Sequence, residues 1–375
     1  MSTPQPNPDD PPTTTTTTAT TINTPTTPLT PTTSTSTSTP TSTTYTHPSI
    51  RLAPIPGRGL GTLATRPIPR GTRLVADRPL LAATNTQMLN AELFAHGLTA
   101  AHATLSADGR RQIAELAARE DVVGDWMEFW RLEEVVDRVA GAGAGEGAWA
   151  GAWGGVGGGV GSREDEGTET AATTSVEEKA HLMAAWSANC FGVGEGESAG
   201  GWAGVIAARA ARFNHSCVPN AGFAWNDALG AITVHAIREV EEGEELTVAY
   251  GDSTRRGAKR REALKRVYGF DCDCVACAGD EEELDGMRRR IKALKTELAR
   301  RADGEQEISS ELVEEGVRLH ERAGLVGSPL VNFYQCAFAA TADRRYLEEE
   351  LRHCIYWQGD DHPHVKELME RLASV

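Results

Sequence analysis

The chain has 375 residues, a hydrophobic fraction of 40% and a formal net charge of −16. That length accommodates two modest domains with tails, and the apolar share is slightly below that of a chain compact throughout. The negative balance disfavours direct duplex DNA binding, which rests mainly on phosphate neutralisation. No apolar run is long enough to span a bilayer and the N-terminus lacks a secretory pattern, so a soluble, intracellular protein, nuclear or cytoplasmic, is expected.

Residues 1–48 are almost entirely Thr, Pro and Ser and cannot bury enough surface to offset the entropy of ordering, which predicts a disordered tail with order beginning near Ser49. Short strands are expected over Ile50–Ala53 and Thr62–Thr65. Between them, Pro56-Gly57-Arg58-Gly59-Leu60-Gly61 is either a plain tight turn or a segment whose glycines let a ligand approach the main chain. A turn over Ile68–Thr72 leads to a strand over Arg73–Asp77. Residues 85–140 read as helical, with stripes at Ile113, Leu116 and Ala117 and at Trp126, Phe129, Trp130, Val135 and Val139. They serve as packing elements or shape a groove. Residues 141–175, rich in Gly and Ala around Trp149 and Trp153, have no periodicity and predict a flexible loop. A helix from Val176 to Trp186 runs into Asn189-Cys190-Phe191, and residues 192–204 read as loose.

Most of the chemistry lies between Arg212 and Asp252. Asn214-His215-Ser216-Cys217 places amide, imidazole, hydroxyl and thiol in succession, and Pro219 stops the segment from continuing as a regular helix. A hairpin over Gly222–Asn226 and Ala231–Ala236 follows, and then a strand over Leu246–Tyr250 with the tyrosine at its end. After a basic helical stretch, Arg255–Arg266, comes Cys272-x-Cys274-x-x-Cys277, a spacing that suits zinc better than disulfides. Cys190, Cys336 and Cys354 read as core or surface thiols. From Glu281 onward the pattern is helical, with stripes beginning at Met287, Leu312, Leu330, Tyr346 and Val365, and antiparallel helix pairs are the simplest packing.

The motifs Asn-His-Ser-Cys-x-Pro-Asn at 214–220 and Glu-Glu-Leu-x-x-x-Tyr at 244–250 resemble the C-terminal half of a SET domain, the fold of most protein-lysine methyltransferases. The resemblance implies an α+β fold: a SET domain of short strands over 49–253 with a helical insertion at 85–140, a zinc-bound post-SET loop within 254–279, and a tetratricopeptide-like helical domain over 280–375. It implies that Arg58, Gly59 and Leu60 line an S-adenosylmethionine pocket, that Asn189 meets the amino-acid end of that cofactor, and that Asn214, His215 and Tyr250 hold it while Phe270 packs on its adenine. Tyr250 is the implied catalytic residue, and Cys217 joins Cys272, Cys274 and Cys277 around a structural zinc. The implied activity is methyl transfer to lysine in a histone or non-histone protein, the alternative being a catalytically silent interaction scaffold. The C-terminal helices offer a surface to a protein partner. One departure is that no second Cys/His cluster stands between Asp77 and Asn189, so the MYND-type zinc finger of the related split-SET branch is missing there.

Overall fold

The structure is a computed structural model and describes residues 44–140, 175–193, 202–302 and 309–374. The expected loop at 141–175, apart from its last residue, and most of the expected tail lie outside the described residues.

Five strands open the fold: β1 (Tyr45–Thr46), β2 (Ile50–Ile55), β3 (Gly59–Ala64), β4 (Arg73–Asp77) and β5 (Leu81–Thr84). The helical insertion comprises α1 (Asn85–Met88), α2 (Ala91–Ala103), α3 (Ala107–Ala114) and α4 (Glu120–Ala140). Helix α5 (Val176–Asn189) starts at a capping box in which Ser175 and Glu178 satisfy each other's main-chain N–H. There follow β6 (Phe191–Gly192), β7 (Trp202–Ile206), β8 (Asn214–His215), β9 (Ala221–Asn226), β10 (Ala231–Ala236) and β11 (Glu245–Val248). Helices α6 (Gly257–Tyr268) and α7 (Val275–Ala278) precede a helical region of α8 (Glu281–Ala302), α9 (Ser310–Arg322), α10 (Ser328–Thr341), α11 (Arg344–Gln358) and α12 (Pro363–Ser374). This is an α+β architecture of short-stranded sheets with a helical C-terminal region.

The strands form three small sheets, ordered β1-β4-β10-β9, β2-β3-β11-β8 and β5-β7-β6. Ile68, Leu74, Val205, Phe213, Ile232, Val234, Leu246 and Val248 form the core among them, and each is almost wholly buried. Leu98, Ile113, Trp130, Leu182 and Met183 form a second core between the insertion and α5.

Three local expectations need correction. The first strand, Tyr45–Thr46, lies before Ser49, because it joins β4 through main-chain pairing that requires no apolar pattern. The stretch read as loose, 192–204, ends inside β7, whose Trp202–Ile206 pairs with β5 on one side and β6 on the other. Strand β11 stops at Val248, so Tyr250 stands two residues beyond the strand end.

The helical region is fastened to the sheet at β9, an edge strand whose outward carbonyls need partners. Trp357 Nε1 donates to Phe223 O at 3.0 Å, and His362 Nε2 donates to Trp225 O at 2.9 Å. Gly222 makes room for this staple, since a Cβ there would sit 2.6 Å from the Trp357 ring. Arg73 pairs with Asp361, and the Arg70 guanidinium lies 4.3 Å from the centre of the Tyr356 ring.

Candidate functional site

The site is built where two distant segments cross. β8 and β11 pair in parallel, with Asn214 beside Thr247 and His215 beside Val248. Asn220, the last residue of the 214–220 motif, binds the crossing together. Its Nδ2 donates to Glu245 O at 2.8 Å and to Glu244 Oε1 at 2.9 Å, and its Oδ1 accepts from Thr247 N at 2.7 Å. Ser216 N donates to Val248 O at 3.0 Å.

Beyond β11 the chain turns so that Tyr250 lies over the crossing. Its N–H donates to His215 Nδ1 at 3.0 Å, its hydroxyl donates to Phe213 O at 2.9 Å, and its carbonyl accepts from the Tyr268 hydroxyl at 3.2 Å. Burial pushes the Tyr250 phenol well above its ordinary range, so at neutral pH it keeps its proton and its oxygen lone pairs remain available as acceptors. With Nδ1 accepting, the His215 proton sits on Nε2, 3.3 Å from Cys217 Sγ. Burial lowers His215 to about 4, and the ring is neutral.

Arg58 donates from Nη1 to Glu245 Oε2 at 2.8 Å and from Nη2 to His215 O. Asn214 Nδ2 reaches the other oxygen of Glu245 at 2.8 Å, so the Asn214 amide nitrogen is turned to a carboxylate. Gly61 has no space for a side chain, because a Cβ would meet Ile55, Glu245 and Asn214 within 2.6–2.8 Å. Gly59, at φ +71°, opens onto free space, and Leu60 beside it is exposed. Gly269 ends α6 with φ +80° and delivers Phe270, whose ring centre lies 6.1 Å from His215 and 6.4 Å from Tyr250. Asn189 stands at the end of α5, where its Nδ2 donates to Ala117 O and Ala185 O, and among the described residues no hydrogen bond links it to the other expected site residues. Arg58, Asn214, His215, Tyr250 and Phe270 are thus brought together, with Gly59 and Leu60 at their rim.

Beneath the crossing, Cys217, Cys272, Cys274 and Cys277 place their sulfurs within 4.8 Å of one another. The Cys217 sulfur lies 3.7 Å from that of Cys277 and 4.0 Å from that of Cys272. A tetrahedron of thiolates at 2.3 Å from zinc has edges of about 3.8 Å, so the spacing fits that ion. The surrounding charge fits as well: Arg260 and Arg288, both buried, carry guanidinium N–H groups without hydrogen-bond partners, and Asp285 lies 3.9 Å from each. A zinc tetrathiolate would supply the negative charge those donors lack. Hydrogen bonds from Cys217 and Cys272 pull the Cys274 thiol strongly below its ordinary value. Three contributors went unnoticed in the sequence: Glu245, which stands inside the Glu-Glu-Leu motif, and Arg260 and Arg288, which carry no local signal because buried and exposed arginines look alike in a helix.

The SET domain family model matches residues 59–251, just over half of the chain. Among curated proteins, histone-lysine N-methyltransferase set5 of Schizosaccharomyces pombe is 38% identical over 73 residues, covering 20% of this chain and 23% of that protein. Histone-lysine N-methyltransferase SMYD3 of Mus musculus is 39% identical over 72 residues (19% and 16%), and N-lysine methyltransferase SMYD2 of Gallus gallus is 34% identical over 80 residues (21% and 18%). The matched stretches span less than a quarter of each of these relatives.

Proposed function

The chain belongs to the SET domain family, and from that premise we propose that it transfers the methyl group of S-adenosylmethionine to the ε-amine of lysine in a protein substrate, with Tyr250 as the catalytic residue. The observation that carries the reading is the Tyr250 hydroxyl, anchored on Phe213 O as a protonated donor at a main-chain crossing flanked by Phe270 and the open backbone of Gly59. An aromatic ring at one side, an unencumbered glycine backbone and the polar group of Arg58, Asn214 and Glu245 match a ligand with a base at one end and an amino acid at the other. In this reading Arg58, Gly59, Leu60, Asn214, His215 and Phe270 hold the cofactor, and Asn189 reaches its amino-acid end once the amide is released from Ala117 and Ala185.

The bound cofactor supplies an electrophilic methyl group. A lysine ammonium has no lone pair, and removing its proton at neutral pH costs about 4–5 kcal/mol from a pKa of about 10.4, a cost that burial lowers. The protein's part is to orient and dry the amine. The Tyr250 oxygen, with one hydrogen fixed on Phe213 O, presents its lone pairs to an amine N–H and so directs the nitrogen lone pair away from itself. With burial raising its pKa and its hydrogen committed to Phe213 O, the phenol acts here as a hydrogen-bond acceptor.

We further propose that Cys217, Cys272, Cys274 and Cys277 hold a structural zinc, with all four positions filled by protein and His215 donating to the Cys217 thiolate. Free cysteines throughout the chain suit the reducing nucleus or cytoplasm. The deciding experiment is transfer from labelled S-adenosylmethionine to core histones and to a cell lysate by wild type and Tyr250→Phe, alongside calorimetric titration of the cofactor. The substitution keeps the ring, so cofactor affinity is retained, while the rate falls about a hundredfold, worth about 3 kcal/mol. Equal transfer by both proteins would remove Tyr250 from the mechanism, and cofactor binding without transfer to any protein would make the chain a scaffold.

A further inference from the structure

A large groove of about 1170 Å³ runs between the Tyr250 loop and the helical region. One wall contains Ala249 and Gly251, the two neighbours of Tyr250 in sequence, and Gly222 and Phe223 of β9; the opposite wall is α8 with the turns between α9 and α10. Its charge is opposite to that of the protein. Seven cationic side chains line it against a single acid, Asp252, in a chain of net charge −16. Asp252 is already engaged, with Arg255 at 3.4 Å and with the Thr254 hydroxyl and N–H. Among the described residues, Lys259, Arg289, Lys292 and Lys295 have no ion-pair partner, although carboxylates pair with many other arginines along the same helices. Arg289, Lys292 and Arg300 also line, with the single acid Glu297, a shallower depression farther along α8. From Arg289 to Arg300 the helix rises about 16 Å, the reach of about five residues of extended chain.

We propose that this groove binds an acidic polypeptide segment, the one that carries the target lysine. Four unpaired cations, Arg289, Lys292 and Lys295 on α8 and Lys259 on α6, focus a positive field in the groove that favours a run of Asp and Glu and repels a basic tail. A polypeptide fits better than DNA because the groove runs up to Ala249 and Gly251 on either side of Tyr250, where the methyl-transfer reading places a lysine. The lysine-bearing role rests on the methyl-transfer reading; the preference for acidic sequence rests on the groove alone.

The test uses the full chain and three synthetic peptides of equal length, each with one central lysine flanked by Asp and Glu, by Ser and Gly, or by Lys and Arg. Peptide binding is read by fluorescence anisotropy and methylation by label transfer. The acidic peptide is expected to bind about tenfold more tightly than the neutral one, with the advantage shrinking as salt rises and disappearing in the double variant Lys292→Glu, Lys295→Glu while cofactor affinity stays unchanged. Should that variant not fold, the salt dependence of the wild-type ranking decides alone. Tightest binding by the basic peptide, or no ranking, overturns the inference without touching methyl transfer. Tight binding of the acidic peptide with no transfer to any peptide or protein retains the groove's preference and removes the methyl-transfer reading. Displacement of the acidic peptide by a single-stranded DNA of equal charge at lower concentration overturns it in favour of nucleic acid.

Discussion

The crossing beside Tyr250 and the junction between β9 and α11 are both held by side chains bonded to main chain, yet they are closed over different spans. At the crossing, Asn220 and Tyr250 reach partners no more than 37 residues away, and the side-chain polar atoms of Asn220 are all used by the 244–250 motif that crosses it. At the junction, Trp357 and His362 reach carbonyls 134 and 137 residues distant. The first is a local knot that shapes chemistry, and its parts fail together. The second joins two separately built cores at a few points, so it is weakened one contact at a time.

The cysteine cluster is where the knot breaks most severely. Cys274→Ser removes one thiolate from a buried set and leaves Arg260 and Arg288 facing less negative charge, and a chelator withdraws the ion itself. We expect copurified zinc to fall from one per chain to none, the segment from Tyr268 to Cys277 to become susceptible to protease, and cofactor binding to weaken, because Phe270 lies on that segment. Elemental analysis and limited proteolysis read this out. Stoichiometric zinc in the Cys274→Ser protein would show that a different ligand set holds the ion.

Within the crossing itself, Asn220→Ala leaves the buried Thr247 N–H and Glu245 carbonyl without their partners. Each unsatisfied buried group costs about 1–3 kcal/mol, so with two of them the protein should lose about 2–6 kcal/mol in denaturant unfolding. A loss under 1 kcal/mol would mean that water replaces the amide and that the knot is looser than its geometry.

The contrast also explains what could be read in advance. The crossing was legible because each of its two halves is a contiguous motif whose residues the fold leaves adjacent. Three members of the cysteine cluster were legible from their close spacing and the fourth, Cys217, from the SET resemblance, while the helical stripes at Met287, Leu330 and Tyr346 followed from periodicity. Strands β1 and β7 were not legible, since both are recruited by main-chain pairing and carry little apolar alternation of their own. Nor was the junction: nothing around Gly222 shows that Trp357 will lie against it, and nothing around Arg73 indicates Asp361. The charge of the groove was hidden for a similar reason, because the overall charge of −16 says nothing of how α8 turns Arg288, Arg289, Lys292 and Lys295 toward one side.

Acid should strain the junction more gently than mutation strains the crossing. Burial lowers His353 to about 4, and the neighbouring Arg70 and Arg352 push in the same direction. Its unfolded value is 6.5. The unfolded chain therefore takes up this proton first. The stabilisation from keeping the ring neutral is complete above pH 6.5, is lost as pH falls, and levels off near pH 4. At about 1.4 kcal/mol per pH unit, His353 accounts for about 2 kcal/mol between pH 6.5 and pH 5. His235, lowered to about 3 by burial with Arg73 beside it, adds a slope of the same sign. Unfolding titrations of wild type and His353→Gln, both with zinc present, isolate the first contribution as a difference in slope. Parallel curves for the two proteins would show that His353 protonates as readily folded as unfolded.

The smallest effect should come from Trp357→Phe, the substitution that best separates staple from packing. Phenylalanine keeps most of the ring volume that Gly222 accommodates, but it has no N–H for Phe223 O. That carbonyl lies on the outward side of an edge strand and is half-buried, so water can recover part of the lost bond, and the net cost should be about 1 kcal/mol. Hydrogen exchange would show where the loss appears. If the junction is a set of independent points, exchange should quicken in α11 and α12 while amides of β8 and β11 keep their protection. If protection at the crossing falls by the same factor, the two regions unfold as one unit, and the edge staple belongs to the same cooperative structure as Tyr250.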